Sequence, residues 1–208
     1  MSTSTPGNDG GPPRAAALWN LPNALTWLRI LMIPAIVVLF YALPHPWADP
    51  AACAAFALAG ITDTLDGYYA RKLGQTSRLG AFLDPVADKL MVAVALVLLV
   101  QEHGNLWLTL PAAVIIGREI VVSALREWMA EIGERAQVAV SNMGKWKTAA
   151  QMLALVILLA NPSDFSFWVL VGYTLLMAAA VLTLWSMLQY LRAAWPHLKF
   201  NSENPEKK

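Results

Sequence analysis

The sequence predicts an all-α integral membrane protein with six transmembrane helices and a short N-terminal interfacial helix. Of its 208 residues, 57% are hydrophobic and only 14% are charged, a composition typical of polytopic membrane proteins rather than soluble domains. Long apolar segments follow one another along the chain, each close to the roughly 20 residues that a spanning helix needs. Basic residues are absent from alternate connections between these segments. The net charge of +1 gives no argument for nucleic-acid binding.

The elements can be placed in order from turn residues and apolar runs. A Gly-, Pro- and Ser-rich stretch predicts a disordered segment over 1–14, and AAALWNLP (15–22) predicts the interfacial helix. Turn residues at 44–46, 104–105 and 161–163 end the first, third and fifth spans. The six predicted spans are 24–43, 51–72, 81–101, 107–130, 139–160 and 166–191. The sequence therefore predicts one membrane domain over 15–200, followed by a disordered tail over 201–208.

The distribution of positive charge predicts the orientation of these spans. The connections at 43–50, 102–106 and 161–165 contain no Lys or Arg, so all 15 basic residues lie toward the other side. Loops rich in Lys and Arg remain on the cytoplasmic side of a membrane. Both termini are therefore predicted to face the cytoplasm, with Trp47, Trp107 and Trp168 near the outer surface.

Four aspartates occur between long apolar runs, where a carboxylate is costly to place. Asp63 and Asp66 are predicted in the last turns of the second helix, and Asp84 and Asp88 in the first turns of the third. Pro85 is predicted in the first turn of that third helix, where its missing N–H costs little. Because residues three, four and seven apart share a helix face, the two pairs are expected to face each other.

Small and basic residues accompany the acids. Gly67 and Ala70 share the face of the first pair, and Gly80 lies one turn before the second, so a ligand could approach the backbone closely. Arg71 and Arg78 could supply positive charge to a diphosphate.

Four converging carboxylates would repel each other unless cations neutralised them. A set of oxygen ligands without His or Cys favours a hard ion, Mg²⁺ or Mn²⁺. Such ions typically bind phosphate groups, and a pair of them can stabilise both the attacking and the leaving oxygen of a displacement. The sequence therefore predicts a site for two divalent ions. A cation transporter would also use such acids, although no polar residues continue a path through the other helices.

The spacing of this region resembles one family closely. Asp63-x2-Asp66-Gly67-x2-Ala70-Arg71-x8-Gly80-x3-Asp84-x3-Asp88 matches the motif of the CDP-alcohol phosphotransferases at every position. The segments NLPNALTWLRILMIP, IIGREIVVSALREWMAE, GKWKTAAQM and VLTLWSMLQYL extend the resemblance to most of 20–192. They are similar to the bacterial branch that uses sn-glycerol 3-phosphate as acceptor.

The resemblance implies an activity and a role for each motif residue. The reaction would transfer the phosphatidyl group of CDP-diacylglycerol to the 1-hydroxyl of sn-glycerol 3-phosphate, releasing CMP. Asp63, Asp66 and Asp84 would bind the metals, and Asp88 would be the general base and a further metal ligand. The residues implied to bind CDP-diacylglycerol are Asn23, Thr26, Gly67, Ala70, Arg71, Ser77 and Gly80.

The acceptor phosphate needs cationic partners near the same membrane face. Arg118 lies inside the fourth predicted helix, and an intramembrane Arg generally has a partner. Arg126 is two turns further on, while Lys145 and Lys147 begin the fifth helix; these three would equally fit snorkelling or topology charges. Glu119 is predicted to point about 100° away from Arg118. The predicted acceptor site is Arg118 and Lys145, with Arg126 and Lys147 beside them.

Other members of the family accept inositol phosphate, serine or phosphatidylglycerol, and the donor motif is common to all of them. The acceptor therefore depends on the segment GREIVVSALREWMAE and its resemblance to enzymes that use glycerol 3-phosphate. The resemblance also implies a homodimer in the bacterial inner membrane, with its active site facing the cytoplasm.

Overall fold

The computed structural model describes residues 21–44, 46–73, 78–133, 142–161 and 166–200. Within these ranges, only the backbone is described at the residues 21–23, 66–71, 73, 78, 79, 81, 142–145, 193 and 196–200. The predicted terminal segments 1–14 and 201–208, Ser77 and most of the predicted interfacial helix lie outside the described residues.

The described chain forms six α-helices, which confirms the all-α prediction. They are α1 (Leu21–Ala42), α2 (Ala48–Leu73), α3 (Arg78–His103), α4 (Leu106–Glu131), α5 (Asn142–Ala160) and α6 (Phe167–Phe200). Three contain a stretch long and apolar enough to cross a membrane: Ala24–Ala42, Leu106–Glu131 and Phe167–Arg192. The helices α2 and α3 carry the four aspartates, which lowers their apolar character.

Two groups of helices pack around a shared apolar core. α1 packs against α2 and α3, α6 packs against α4 and α5, and α2 and α3 both contact α5. Small residues on α2, including Ala52 and Ala59, are fully buried and let neighbouring helices approach closely. Gly172 of α6 has the same effect, since a Cβ there would lie 2.7 Å from the Leu158 side chain of α5.

The buried faces of the first three helices lead directly into the polar site. On α1, the buried positions Thr26, Arg29, Ile33 and Ile36 follow one another at spacings of three and four residues. On α2, Asp63 lies on the same face as the core residues Ala52, Phe56 and Ala59 that precede it. On α3, Asp88 likewise shares a face with the core residues Met91, Ala95 and Leu99 that follow it. The site therefore lies at one end of the core that these three helices share.

A polar cluster closes the opposite end of the bundle. Asn105 is the N-cap of α4, where its side chain accepts a hydrogen bond from the Leu108 N–H. Its amide also donates to the Tyr173 hydroxyl of α6 at 2.7 Å, and that hydroxyl lies 2.9 Å from Nδ1 of His103 at the end of α3. These contacts join three helices at the end away from the aspartates.

Helix boundaries differ from the prediction in two places that matter for the site. α3 begins at Arg78 instead of 81, so Asp84 and Asp88 lie deeper inside the helix than its predicted first turns, whereas Asp63 and Asp66 lie in the last three turns of α2, which ends at Leu73, as predicted. The prediction that Pro85 lies in a first turn is wrong, because Pro85 is inside α3. α6 also continues to Phe200 instead of ending near 191.

Candidate active site

Two of the motif aspartates, one from each helix of the predicted pair, meet at a single cation. Asp63 of α2 lies 2.6 Å from Nη1 of Arg29, and Asp88 of α3 accepts a hydrogen bond from the same nitrogen at 2.9 Å. Arg29 is fully buried, whereas the Asp63 and Asp88 side chains remain 39% and 47% exposed. The two carboxylates are therefore accessible from outside the bundle, while their contacts with the buried guanidinium hold them in place.

A third aspartate is held from α1 as well. The Thr26 hydroxyl donates to Oδ1 of Asp84 at 2.7 Å, and Thr26 is 2% exposed. Thr26 and Arg29 are three residues apart and so project from the same face of α1. One face of α1 thus orients Asp63, Asp84 and Asp88 together.

The prediction that the two acidic helices approach each other is supported by this shared contact. The fourth acid, Asp66, lies in α2 at a position where only the backbone is described, as do Gly67, Ala70 and Arg71. Asn23 lies in the first turn of α1, where only the backbone is described. Gly80 is buried near the start of α3, so little space separates it from its neighbours.

The described acids of the site offer only carboxylate oxygens, which are the ligands that a hard divalent ion prefers. Two of these carboxylates already bind one cationic nitrogen, so they lie close enough together to share a positive charge. Among the side chains that the structure describes, which exclude Asp66, no group of three or more His, Cys, Asp or Glu residues is close enough to hold a metal. The four-aspartate ligand set therefore stays a prediction.

Arg29 is the residue of this site that the sequence argument missed. From the sequence, Arg29 is predicted only to be one of the positive charges near the cytoplasmic side. Its position in an apolar helix, three residues after Thr26, is the pattern that could have found it, because a charged residue inside a spanning segment generally faces the bundle interior and has a partner.

A second charged cluster lies between α4, α5 and α6. Arg118 donates to Oε1 of Glu119 at 2.5 Å and to the Ser186 hydroxyl of α6 at 3.2 Å. Lys147 of α5 is 7% exposed, and its Nζ lies 3.9 Å from the same Glu119 oxygen. The structure therefore brings together Arg118 and Lys147, two of the predicted acceptor residues.

The prediction that Glu119 points away from Arg118 is wrong. Their Cα–Cβ bonds do diverge on the helix, but both side chains are long enough to curve toward each other, and the buried guanidinium needs a counter-charge. Lys145 lies in the first turn of α5, where only its backbone is described.

Arg126 extends this cluster toward the end of α4. Its Nη2 donates to the Tyr190 hydroxyl at 2.8 Å, and its guanidinium lies 5.0 Å from the centre of the Tyr190 ring. Ser186 and Tyr190 are four residues apart on α6 and so share a face. Ser186 and Tyr190 were not predicted as site residues, because nothing in the sequence distinguishes a Ser or Tyr of this kind on an apolar helix from a packing residue.

A hydrogen bond joins the two helices that carry these clusters. Lys89, which follows Asp88 on α3, donates to the Ser123 hydroxyl of α4 at 2.5 Å. Ser123 in turn donates to the backbone carbonyl of Glu119 at 2.5 Å. The carboxylate site and the Arg118 cluster therefore lie on neighbouring helices.

Comparison with known families covers most residues of these two clusters. The sequence model described as CDP-alcohol phosphatidyltransferase matches residues 19–185, which include all four aspartates, Thr26, Arg29 and Arg118. The chain belongs to this family. CDP-alcohol phosphatidyltransferases generally use divalent metal ions, in agreement with the oxygen-only donor set described above.

Curated relatives within the CDP-alcohol phosphatidyltransferase family are similar over most of the chain. A protein of Pseudomonas fluorescens is 70% identical over 181 residues, which are 86% of this chain and 92% of that relative. One of Sodalis glossinidius is 58% identical, over 84% and 94% of the two chains. One of Salmonella choleraesuis is 55% identical, over 85% and 95%. All three are named CDP-diacylglycerol–glycerol-3-phosphate 3-phosphatidyltransferase.

Membership of a membrane-lipid biosynthetic family agrees with the three apolar helices, and together they indicate a membrane protein.

Proposed function

We propose that the protein transfers the phosphatidyl group of CDP-diacylglycerol to the 1-hydroxyl of sn-glycerol 3-phosphate, giving phosphatidylglycerophosphate and CMP. The observation that carries the proposal is the 70% identity, over 92% of its length, to a relative named for this reaction. The geometry supports it, because the bundle contains a carboxylate cluster whose oxygens suit divalent ions and a second cluster whose cations suit a phosphate.

In the proposed reaction, the acceptor hydroxyl attacks the lipid-linked phosphorus while the bond from that phosphorus to the oxygen of CMP breaks. Asp88 takes the hydroxyl proton as general base, and its carboxylate is oriented by Arg29. Asp63, Asp66, Asp84 and Asp88 would hold two divalent ions, Mg²⁺ or Mn²⁺, which when bound lower the pKa of the hydroxyl and neutralise the diphosphate.

Residues around the acids bind the donor in this proposal. Thr26 and Asn23 contact the diphosphate from α1, Gly67 and Ala70 leave room for the cytidine and ribose, and Gly80 is a further donor-binding residue. Arg71 and Ser77 supply charge and a hydroxyl to the CDP group.

The acceptor phosphate is bound by the second cluster. Arg118 and Lys147 both face Oε1 of Glu119, at 2.5 and 3.9 Å, so this carboxylate is the anion that the two largely buried cations now share. A phosphate carries more charge and more acceptor oxygens than a carboxylate, so it would compete for the same donors. Arg126 and Lys145 lie at the cytoplasmic ends of the same helices and complete the proposed site.

The proposed setting is a bacterial inner membrane, crossed by all six helices, with both termini and the active site facing the cytoplasm. The absence of Lys and Arg from the three outer connections supports this orientation. The proposed assembly is a homodimer, which follows from the family alone.

One assay tests the function and separates it from its alternatives. Purified protein with CDP-diacylglycerol and Mg²⁺ is offered glycerol 3-phosphate, inositol phosphate, serine or phosphatidylglycerol in separate reactions. CMP and phosphatidylglycerophosphate are expected with the first acceptor only. Turnover with another acceptor would reassign the substrate, and metal-dependent ion flux without CMP release would favour a transporter.

A further inference from the structure

Arg29 is unusual because its charge is completely buried and faces acids that the reaction needs. Its side chain is 0% exposed, and its Nη1 lies 2.6 Å from Asp63 and 2.9 Å from Asp88. A topology charge or a snorkelling side chain would extend to the membrane surface instead. The guanidinium therefore belongs to the acidic site rather than to the surface of the bundle.

The contacts of Arg29 also differ from those of an ordinary structural ion pair. Both acids keep large exposed fractions, 39% and 47%, so they face the accessible side of the site. They come from two different helices, and a third helix supplies the cation. Such a residue fixes the relative position of α2 and α3 at the point where both present carboxylates.

We infer that Arg29 is a positioning residue and internal counter-cation, which holds Asp63 and Asp88 in place and, when no metal is bound, neutralises part of their charge, so that it competes with the metal. Several carboxylates at one end of an apolar core repel each other, and one fixed positive charge relieves part of that repulsion. The Nη1 atom of Arg29 contacts both carboxylates, and the planar, rigid guanidinium fixes the direction of those contacts, whereas a flexible ammonium group would supply the same charge without that fixed geometry.

Thermodynamic linkage makes this role measurable. If Arg29 neutralises the acids in the metal-free protein, its removal costs more stability without metal than with metal. By the same reciprocity, the variant binds a divalent ion more tightly than the wild type. A residue that only packed the helices together would change both states equally.

The experiment compares Arg29→Gln and Arg29→Lys with the wild type, purified in detergent, using Mn²⁺ as the probe. Thermal unfolding followed by tryptophan fluorescence is measured in EDTA and in Mn²⁺, and the dissociation constant for Mn²⁺ is measured by electron paramagnetic resonance. Arg118→Gln is the matched control for both measurements, because it removes another largely buried arginine that has no contact with Asp63, Asp84 or Asp88 among those that the structure describes.

We expect Arg29→Gln to lose more thermal stability in EDTA than in Mn²⁺ and to bind Mn²⁺ about fivefold or more tightly. Arg29→Lys keeps the charge and is expected to match the wild type in both measurements, while its kcat falls about 10²-fold at an unchanged KM for CDP-diacylglycerol, because Asp88 is no longer held in place. The control Arg118→Gln is expected to lose the same thermal stability, relative to the wild type, in EDTA as in Mn²⁺, and to bind Mn²⁺ as tightly as the wild type does.

Equal loss of stability in the two conditions, or weaker Mn²⁺ binding by Arg29→Gln, would overturn the inference. So would normal turnover of Arg29→Lys. If Arg29→Gln does not fold in EDTA but folds in Mn²⁺, the inference is supported. The turnover measurement rests on the proposed function, whereas the stability and Mn²⁺ measurements do not, so a wild type without transferase activity would refute that function and leave this test intact.

Discussion

At the scale of single residues, Asp88 is expected to control turnover. Asp88→Asn keeps the size of the side chain but cannot accept the acceptor's proton, so kcat should fall about 10²–10⁴-fold, while binding of CDP-diacylglycerol stays nearly the same. Single-turnover CMP release and donor binding are the measurements. Glu102→Gln is a matched control, since it removes a carboxylate from the other end of the same helix. Near-normal turnover of Asp88→Asn would exclude Asp88 as the base.

Arg118 is expected to determine acceptor binding. A charge-assisted hydrogen bond to phosphate is worth about 1.5–3 kcal/mol, so Arg118→Ala should raise the KM for glycerol 3-phosphate roughly 10- to 100-fold without raising the donor KM. Arg192→Ala, an exposed arginine near the end of the apolar stretch of α6, should leave both constants unchanged. An unchanged acceptor KM in Arg118→Ala would show that the phosphate binds elsewhere.

The sequence could predict individual site residues where the cost of burying a charge makes them conspicuous. The four aspartates and Arg118 are predicted in that way, and the structure holds Asp63, Asp84 and Asp88 together from one face of α1. The position of Arg29 in an apolar helix could indicate that it has a partner, but not which one, because the contact joins three helices. Ser186 and Tyr190 were missed for the same reason, since only the packing of α6 on α4 brings them to Arg118 and Arg126.

At the scale of elements, the close contact between α5 and α6 depends on a glycine, Gly172, which has no side chain to separate the two helices. A Cβ at Gly172 would lie 2.7 Å from two carbon atoms of Leu158, which is itself buried. Gly172→Ala should therefore lower the free energy of unfolding by about 1–3 kcal/mol, in spite of the better helix propensity of alanine.

Gly117 in α4 provides the control for that substitution, because a Cβ there would meet nothing within 4 Å. Thermal or denaturant unfolding in detergent should show a loss for Gly172→Ala and none for Gly117→Ala. Equal behaviour of the two variants would contradict the close packing of α5 on α6.

Apolar runs and turn residues predicted where the helices lie along the chain, but they did not predict where the helices end. Apolarity marks the part of a helix that suits a bilayer, whereas backbone hydrogen bonding continues into polar residues beyond it. α6 has 34 residues, or about 50 Å at 1.5 Å per residue, against a hydrocarbon core of about 30 Å. The same effect explains why α3 begins before Pro85 and its acids.

At the scale of the whole molecule, the orientation of the bundle is open to a direct test. In a Cys53→Ala background, Pro46→Cys places a thiol in an exposed outer connection, and Glu131→Cys places one at the exposed, opposite end of α4. A membrane-impermeant maleimide that reaches the periplasm should label the first in intact cells and the second only after the inner membrane is permeabilised. The reverse pattern would place the aspartates on the outer side.

The buried arginine of α1 also has a consequence for how the chain enters the membrane. During synthesis, Arg29 and the rest of α1 are made before Asp63 and Asp88. A charged residue inside a lone apolar helix is costly to insert, up to roughly 2.5–3.5 kcal/mol at the helix centre. Insertion of α1 together with α2, as a hairpin already joined by the Arg29–Asp63 ion pair, avoids most of that cost. The contact that orients a carboxylate for chemistry would then also help to decide when the first two helices leave the translocon.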